Sequence, residues 1–373
     1  MLTLALLLST LAVQDADRAR AAVERSLPFL EREGLAWMEK RGCLSCHQVP
    51  FMLWAHDEAR AKGVAVDAAK RANWTEWSTK ESEACRTRTW LTGPILDSLK
   101  SEGMPAETVA KLMPFTTKPE LKGGMKEAAF RNELAKALTA EERSRHEPTV
   151  LRLAAHGKGD GGGVDTMAQL LMAGVGSPEF AASTRAHIAG FQQPDGSWKP
   201  NGQLFSMNRS RDEAIAITTM WTAIALGAGS EAAVKGVAFV RKGAKGKTTE
   251  WLVARAILES TFGDRGASEE FVRELRSRQN PDGGWSAVPE AAGDAFATGL
   301  ALYALGSAED AAVPRARKFL VESQSEDGSW AIPLAPWSKS GSRPEPNPRL
   351  ELIYRYWGSA WAAIGLARTL PEK

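Results

Sequence analysis

Beyond its N-terminus the 373-residue chain has no apolar run long enough to cross a membrane, which excludes a span from the mature protein. It also has little net charge. Against 45 aspartates and glutamates stand 47 lysines and arginines, leaving +2, and no basic stripe carries interleaved aromatic residues, so nothing marks a nucleic-acid partner. Cysteine is scarce: the three lie at 43, 46 and 85, and if Cys43 and Cys46 act together, Cys85 is left as a free buried thiol or as half of an intermolecular disulfide. Tyrosine is scarcer than tryptophan, three against thirteen, and several of the tryptophans fall in a repeated motif.

What is present is the composition of a soluble globular protein, 43% hydrophobic and 25% charged, long enough for one large domain or two ordinary ones. Met1 to Val13 form an apolar run too brief to span a bilayer. The small residues Ser9-Thr10-Leu11-Ala12 close it before the charged stretch Gln14 to Arg18. The pattern resembles a secretory signal over residues 1–14 with cleavage near Ala12 or Gln14, although no lysine or arginine precedes the apolar run. The expected location is therefore outside the cytoplasm, in a periplasm or beyond.

About thirty residues past the apolar run the chain reads Cys43-Leu44-Ser45-Cys46-His47. C-x-x-C-H is the attachment site of c-type haem, where each cysteine adds as a thioether to a vinyl group and the histidine ligates the iron. Bacteria attach covalent haem outside the cytoplasm, so the motif and the signal-like N-terminus agree. Haem c is the expected cofactor, bound by Cys43, Cys46 and His47. Two other chemistries share the pattern. A thioredoxin-type dithiol needs a βαβ setting that the chain does not show, and a zinc site would draw Cys85 and a histidine such as His56 into the ligand set. On the far side of the iron, Met104 and Met113, each followed by proline, lie 57 and 66 residues past His47 and are the candidate distal ligands, with Met125 weaker. Met104 also reads as an ordinary helix start, and methionine is a common core filler. His146, His156 and His187 have no assigned role.

The C-terminal part repeats itself. Gln192-Gln193-Pro194-Asp195-Gly196-Ser197-Trp198 returns as Gln279-Asn280-Pro281-Asp282-Gly283-Gly284-Trp285 and again as Gln324-Ser325-Glu326-Asp327-Gly328-Ser329-Trp330, all Q-x-x-D-G-x-W. The last two tryptophans are 45 residues apart and the first two 87, nearly two periods, with a degenerate unit from Phe239 to Trp251 in the gap. Before each copy runs a mixed segment such as Phe271–Arg276 or Arg315–Leu320. After it comes a more continuously apolar one, Ala214–Leu226, Ala295–Leu305 or Trp357–Leu366. Half-exposed and fully buried helices in alternation predict an α/α barrel, with an outer ring around an inner one. Asp-Gly supplies the turn between them, and the glutamine amide and tryptophan ring tie one hairpin to the next by hydrogen bonding and stacking.

Q-x-x-D-G-x-W resembles the QW motif of squalene–hopene and oxidosqualene cyclases, whose superfamily also includes the protein prenyltransferase β subunit. The resemblance covers roughly residues 150 to 370. It implies an all-α fold, an α/α toroid around an often apolar cavity, in which Gln192, Asp195, Gly196 and Trp198, Gln279, Asp282, Gly283 and Trp285, and Gln324, Asp327, Gly328 and Trp330 brace the structure and do no chemistry. The chain departs from the family where the reaction lies. Class II cyclases protonate an alkene or epoxide with the middle carboxyl of D-x-D-D-T, a strong acid made by its neighbours, and no D-x-D-D occurs here. Gly163-Val164-Asp165-Thr166 keeps only the final Asp-Thr. Nor do the cysteines and histidines fall in the repeat loops that would hold a prenyltransferase zinc. Asp165, Asp212 and Asp294 each precede an apolar helix and are expected to cap it.

The region before the repeats shows the same alternation, a helix over Ala19–Met38 with Pro28 as a kink or a start, and another opening at Phe51–Ala55. Cys43 to His47 stand where Asp-Gly-x-Trp would be. The expected layout is therefore a signal at 1–14, a helical segment at 15–130 with the haem loop, and the toroid at 131–373. The haem segment is either one more hairpin of that architecture or a small separate cytochrome domain. The expected function is an exported c-type haem protein engaged in electron transfer or oxidative chemistry, with a redox protein as partner. The alternative is a cyclase- or prenyltransferase-like protein that holds an apolar isoprenoid in the toroid cavity.

Overall fold

The computed structural model describes residues 2–41, 48–121, 124–155, 163–200, 209–306, 310–332 and 348–372. The protein is all-α, 71% helix and 2% strand. In chain order the helices are α1 (Leu2–Arg41), α2 (Gln48–Ala61) and α3 (Ala68–Thr87), then a short stretch of β1 (Arg88–Thr89), α4 (Gly93–Ser101), α5 (Ala106–Leu112), α6 (Pro114–Thr117), β2 (Met125–Lys126), α7 (Glu127–Ala137) and α8 (Ala140–Ala154). There follow α9 (Val164–Met172), α10 (Pro178–Gly190), α11 (Arg211–Leu226), α12 (Glu231–Lys242), α13 (Thr249–Thr261), α14 (Arg265–Ser277), α15 (Ala295–Leu305), α16 (Val313–Ser323) and α17 (Pro348–Thr369).

The helices differ in burial as their composition demands. In α15, AFATGLALYAL, every residue from Ala295 to Tyr303 is buried, whereas α14, RGASEEFVRELRS, buries only Leu275. A helix apolar on all sides must be covered on all sides, and one with a single apolar stripe lies at the surface. The buried helices α2, α9, α11, α13, α15 and α17 each pack on the next in this order, and α17 packs on α2, so the cycle of contacts closes. Against this cycle, α10 packs on α9, α12 on α11, α14 on α13, α16 on α15, α1 on both α17 and α2, and α3 on α2.

Two apolar clusters result. One unites residues of α1 to α3 with those of α9 to α17. The other is confined to residues 91–154, where Leu99, Leu112, Phe130, Leu134 and Val150 form its centre. The chain enters and leaves this second unit at one place: β1 pairs antiparallel with β2, Thr89 bridges Ala155, and the Trp90 amide donates to Ala154 O at 3.1 Å. The unit is thus inserted between α3 and α9, in the position that a short turn occupies elsewhere.

Two local expectations change. Pro28 neither starts nor ends a helix but lies within α1. It is on the exposed side, where the carbonyl that loses its N–H partner is open to solvent. Of the three aspartates expected as caps, Asp294 caps α15, but Asp165 and Asp212 lie in the first turns of α9 and α11, whose N-caps are Gly163 and Ser210. Ser210 does the capping at α11, accepting from the Glu213 amide at 3.2 Å.

Candidate functional site

The three Q-x-x-D-G-x-W turns are alike to within tenths of an ångström. Each tryptophan is fully buried, and its indole N–H donates to the carbonyl ten residues earlier: Trp198 to Ile188 (2.8 Å), Trp285 to Leu275 (2.7 Å) and Trp330 to Leu320 (2.8 Å). Its backbone N–H donates to a hydroxyl on the following buried helix, Thr219, Thr298 or Ser359. The tryptophan therefore joins the two helices of its own hairpin. Burying each indole removes roughly 200 Å² of surface, worth about 5 kcal/mol at ~25 cal/mol/Å², against ~1 kcal/mol for each hydrogen bond. Burial holds the ring, and the hydrogen bonds orient it.

The glutamine makes the link to the next hairpin. Its amide donates to the glycine carbonyl within the turn and to a carbonyl on the neighbouring outer helix, Gln192 to Ala232 of α12 (2.7 Å), Gln279 to Ala312 just before α16 (2.9 Å) and Gln324 to Ala22 of α1 (2.8 Å). The turn glycine sits against that same helix with positive φ, +93° at Gly196, +91° at Gly283 and +82° at Gly328. A Cβ there would press on Lys235 O, Arg315 O and Arg25 O respectively, so both backbone angle and space require glycine. The degenerate unit differs. Trp251 lies inside α13, and its indole nitrogen is buried with no hydrogen-bond partner.

Cys43, Cys46 and His47, the residues expected to hold haem, lie outside the described residues. α1 ends at Arg41 and α2 begins at Gln48, so in the sequence the motif lies between these two helices. The Tyr356 hydroxyl on α17 donates to Gln48 O at 2.6 Å, which anchors the residue directly after His47. A Cβ at Gly34 would meet Met52 Sδ at 2.6 Å, which shows how closely α1 and α2 approach.

All six buried helices contribute to one central cavity, lined by Phe51 and Trp54 of α2, Asp165, Ala168, Gln169 and Met172 of α9, Trp221 of α11, Glu250 of α13, Phe296 of α15, and Trp357 and Trp361 of α17. Its open volume is about 40 Å³, room for a few waters, because aromatic rings fill the centre. Phe51 stacks on Trp54 (centroids 6.3 Å apart, planes at 9°), Trp54 meets Trp361 edge-on at 5.2 Å, and Trp361 lies 5.6 Å from both Trp221 and Tyr303. Polar groups border the rings. Trp54 Nε1 donates to Glu58 (3.3 Å), which also pairs with Arg368 (3.0 Å), while Arg368 lies over the Tyr303 ring at 4.3 Å. Trp221 Nε1 donates to Glu250 (3.1 Å), itself 2.7 Å from buried Arg209. Burial pushes the Tyr303 phenol up to about 12, so it stays protonated.

The candidate distal ligands sit elsewhere. Met104 is buried in the second apolar cluster, between α4 and α5, and Met113 is 47% exposed between α5 and α6. Met125, in β2, packs against the same cluster. His56 is buried in the side of α2 that faces α3. Its Nδ1–H donates to Met52 O at 2.7 Å, its ring meets Trp74 at 5.0 Å, and burial lowers its pKa, so the imidazole is neutral. Cys85 lies on α3, eleven residues beyond Trp74. Among the described residues no three histidine, cysteine, aspartate or glutamate side chains form a metal-binding group, and no helix is long and apolar enough to cross a membrane. His146 lies half-buried on α8, His187 lies against Phe191 at 4.9 Å, and His156 is outside the described residues.

No protein-family model matches the chain, and no curated protein matches it either. The residues that sequence reasoning passed over are those at the centre: Trp54, Trp221, Trp361, Glu58 and Glu250. The surplus of tryptophan was their one signal, since nothing local distinguishes an indole facing the middle of a ring from one in an ordinary core.

Proposed function

We propose that this protein is an exported c-type haem protein built on an α/α toroid of the kind that QW repeats make in terpenoid cyclases, and that it works in electron transfer. The observation that carries the reading is the way the third QW turn docks. Gln324 and Gly328 hold α1 as Gln192 and Gly196 hold α12, and as Gln279 and Gly283 hold Arg315 and the start of α16. The helix that precedes C-x-x-C-H in the sequence thus takes the place of one more outer helix, which supports reading the motif as the counterpart of a QW turn. On this reading the haem hangs from a hairpin of the toroid itself, and the residues at 91–154 are an insertion in the neighbouring hairpin.

The donor set suits the group: two cysteines in C-x-x-C order, one for each vinyl group, and a histidine directly after them. Cys43 and Cys46 would hold the porphyrin and His47 the iron, and the bound haem would supply a one-electron couple. The chain's own part is to fix this connection. Tyr356 holds Gln48 O at the start of α2, and α1 and α2 meet closely at Gly34 and Met52.

The isoprenoid reading has less support. Drug-sized ligands occupy pockets of roughly 300–1,000 Å³, far more than the central 40 Å³, and no D-x-D-D acid is present.

A pyridine-haemochrome spectrum of protein exported by a host with c-type maturation, beside a Cys46→Ser variant, tests the proposal. A c-type band that survives acid-acetone extraction in the wild type, and is altered to a single-thioether form or lost in the variant, is the expected result. Full extraction of the pigment from the wild type, or no pigment at all, would overturn it.

A further inference from the structure

We propose that Trp54, Trp361 and Trp221 form a one-electron relay across the centre of the protein, with Glu58 and Glu250 as proton acceptors at its two ends. The inference rests on the haem reading for the identity of its natural oxidant, but its geometry is that of the described residues alone. The three indoles are in contact, Trp54 to Trp361 at 5.2 Å and Trp361 to Trp221 at 5.6 Å. Phe51, four residues after His47, stacks on the first of them.

Contact between aromatic rings is common in cores, and what sets these apart is what their N–H groups meet. An oxidised indole becomes strongly acidic at Nε1, and a buried positive charge is costly unless it is neutralised. The QW tryptophans donate to backbone carbonyls, which cannot take a proton, and Nε1 of Trp90 and of Trp251 has no hydrogen-bond partner among the described residues. Trp54 and Trp221, the two ends of the contact chain, each donate to a carboxylate, Glu58 at 3.3 Å and Glu250 at 3.1 Å. Tyr303 also touches Trp54 and Trp361, but the Arg368 guanidinium over its ring opposes positive charge there and leaves Trp221 as the end point.

The step balances as follows. A one-electron oxidant adjoining Phe51 and Trp54 takes an electron from Trp54, and the Nε1 proton passes to Glu58. Trp221 then supplies an electron through Trp361, its own Nε1 proton passes to Glu250, and Glu58 returns its proton to Trp54. The oxidant has gained one electron, and Trp221 has lost one electron and, to Glu250, one proton. A reduced one-electron donor protein at the α11 side restores it. On the haem reading, Cys43, Cys46 and His47 would hold the oxidant, and hydrogen peroxide, which takes up two electrons and two protons to give two waters, would draw on the relay twice.

The test reads the radical and not turnover. Where the haemochrome assay finds covalent haem, the full-chain haem protein carrying ring-deuterated tryptophan is mixed with hydrogen peroxide and examined by freeze-quench electron paramagnetic resonance. A tryptophanyl radical is expected in the wild type and in a Trp77→Phe control. It should be lost in Trp54→Phe and change its hyperfine pattern in Trp361→Phe and Trp221→Phe. Glu58→Gln, which keeps the hydrogen bond but cannot accept a proton, should lower the radical yield while the protein still melts cooperatively, its midpoint lowered only by the loss of the Arg368 pair. An unchanged radical in all three tryptophan variants overturns the relay. Where no covalent haem is found, the haem reading fails by itself. The relay is then tested with a ruthenium photo-oxidant coupled to Cys43 in the full-chain Cys46→Ser, Cys85→Ser protein, with transient absorption as the readout. The same pattern across the variants supports the relay, and equal radical formation in all of them overturns it.

Discussion

Asp294 shows what a single carboxyl does when a helix N-terminus is buried. Its two oxygens accept from the Ala297 and Ala287 amides at 2.8 Å each, holding the start of α15 to the strand-like segment after Trp285. Burial outweighs those bonds and pushes its pKa from 3.8 up to about 6. The folded state therefore binds this proton more tightly than the unfolded one. The stability it contributes is complete below pH 4 and is lost as pH rises through 6, a change of up to about 3 kcal/mol. Urea unfolding at pH 4.5 and pH 7 should show this loss in the wild type, and Asp294→Asn should abolish that part of the pH dependence. A variant with the wild-type profile would assign the dependence to other groups. At this scale the sequence is legible where chemistry is local. The capping role of Asp294 and the bracing role of Gln192, Gln279 and Gln324 follow from residue type and spacing, whereas Glu58 and Glu250 look like any surface glutamates until their indole partners are in place.

Elements were legible through their apolar pattern. The run Ala295–Leu305 coincides with α15, and Ala214–Leu226 falls within α11. Their ends were less so, because the residue that caps a helix is decided by which side chain reaches the free amides, and Ser210 reaches those of α11 where Asp212 does not. Nor does pattern show how closely two elements meet. At the crossing of α15 and α17, a Cβ on Gly299 would fall on the backbone of Trp361 and Ala362, and one on Gly365 on Gly299 itself. Gly299→Ala should therefore force the two inner helices apart and cost at least ~1–3 kcal/mol as overpacking does, despite the gain in helix propensity of about 1 kcal/mol that the same change brings at an exposed site. A denaturation midpoint equal to or above the wild type would show that the helices have room to separate.

For the whole molecule the decisive contact is the one that joins its ends. Gln324 donates to Ala22 O, Arg25 returns a hydrogen bond to Gln324 Oε1 at 2.6 Å, and Arg317 pairs with Asp15 at 2.9 Å. From residue 14 onward, the first buried residue of α1 is Ala19. Deleting residues 1–14 should therefore leave cooperative thermal unfolding intact, while deleting residues 1–25 should abolish it by opening the cycle between α17 and α2. Equal melting of the two truncations would mean that α1 is dispensable. The sequence by itself determined that the chain is helical, which segments are buried, where the turns fall, and that a C-x-x-C-H pentapeptide precedes an inner helix. Each of these depends on residues adjacent along the chain. Only the tertiary structure decided that α1 receives the third brace, that residues 91–154 form a cluster of their own, and that three tryptophans from α2, α11 and α17 meet at the centre. Those are contacts between residues up to three hundred positions apart, and no local preference for turn, cap or helix encodes which distant surface closes on which.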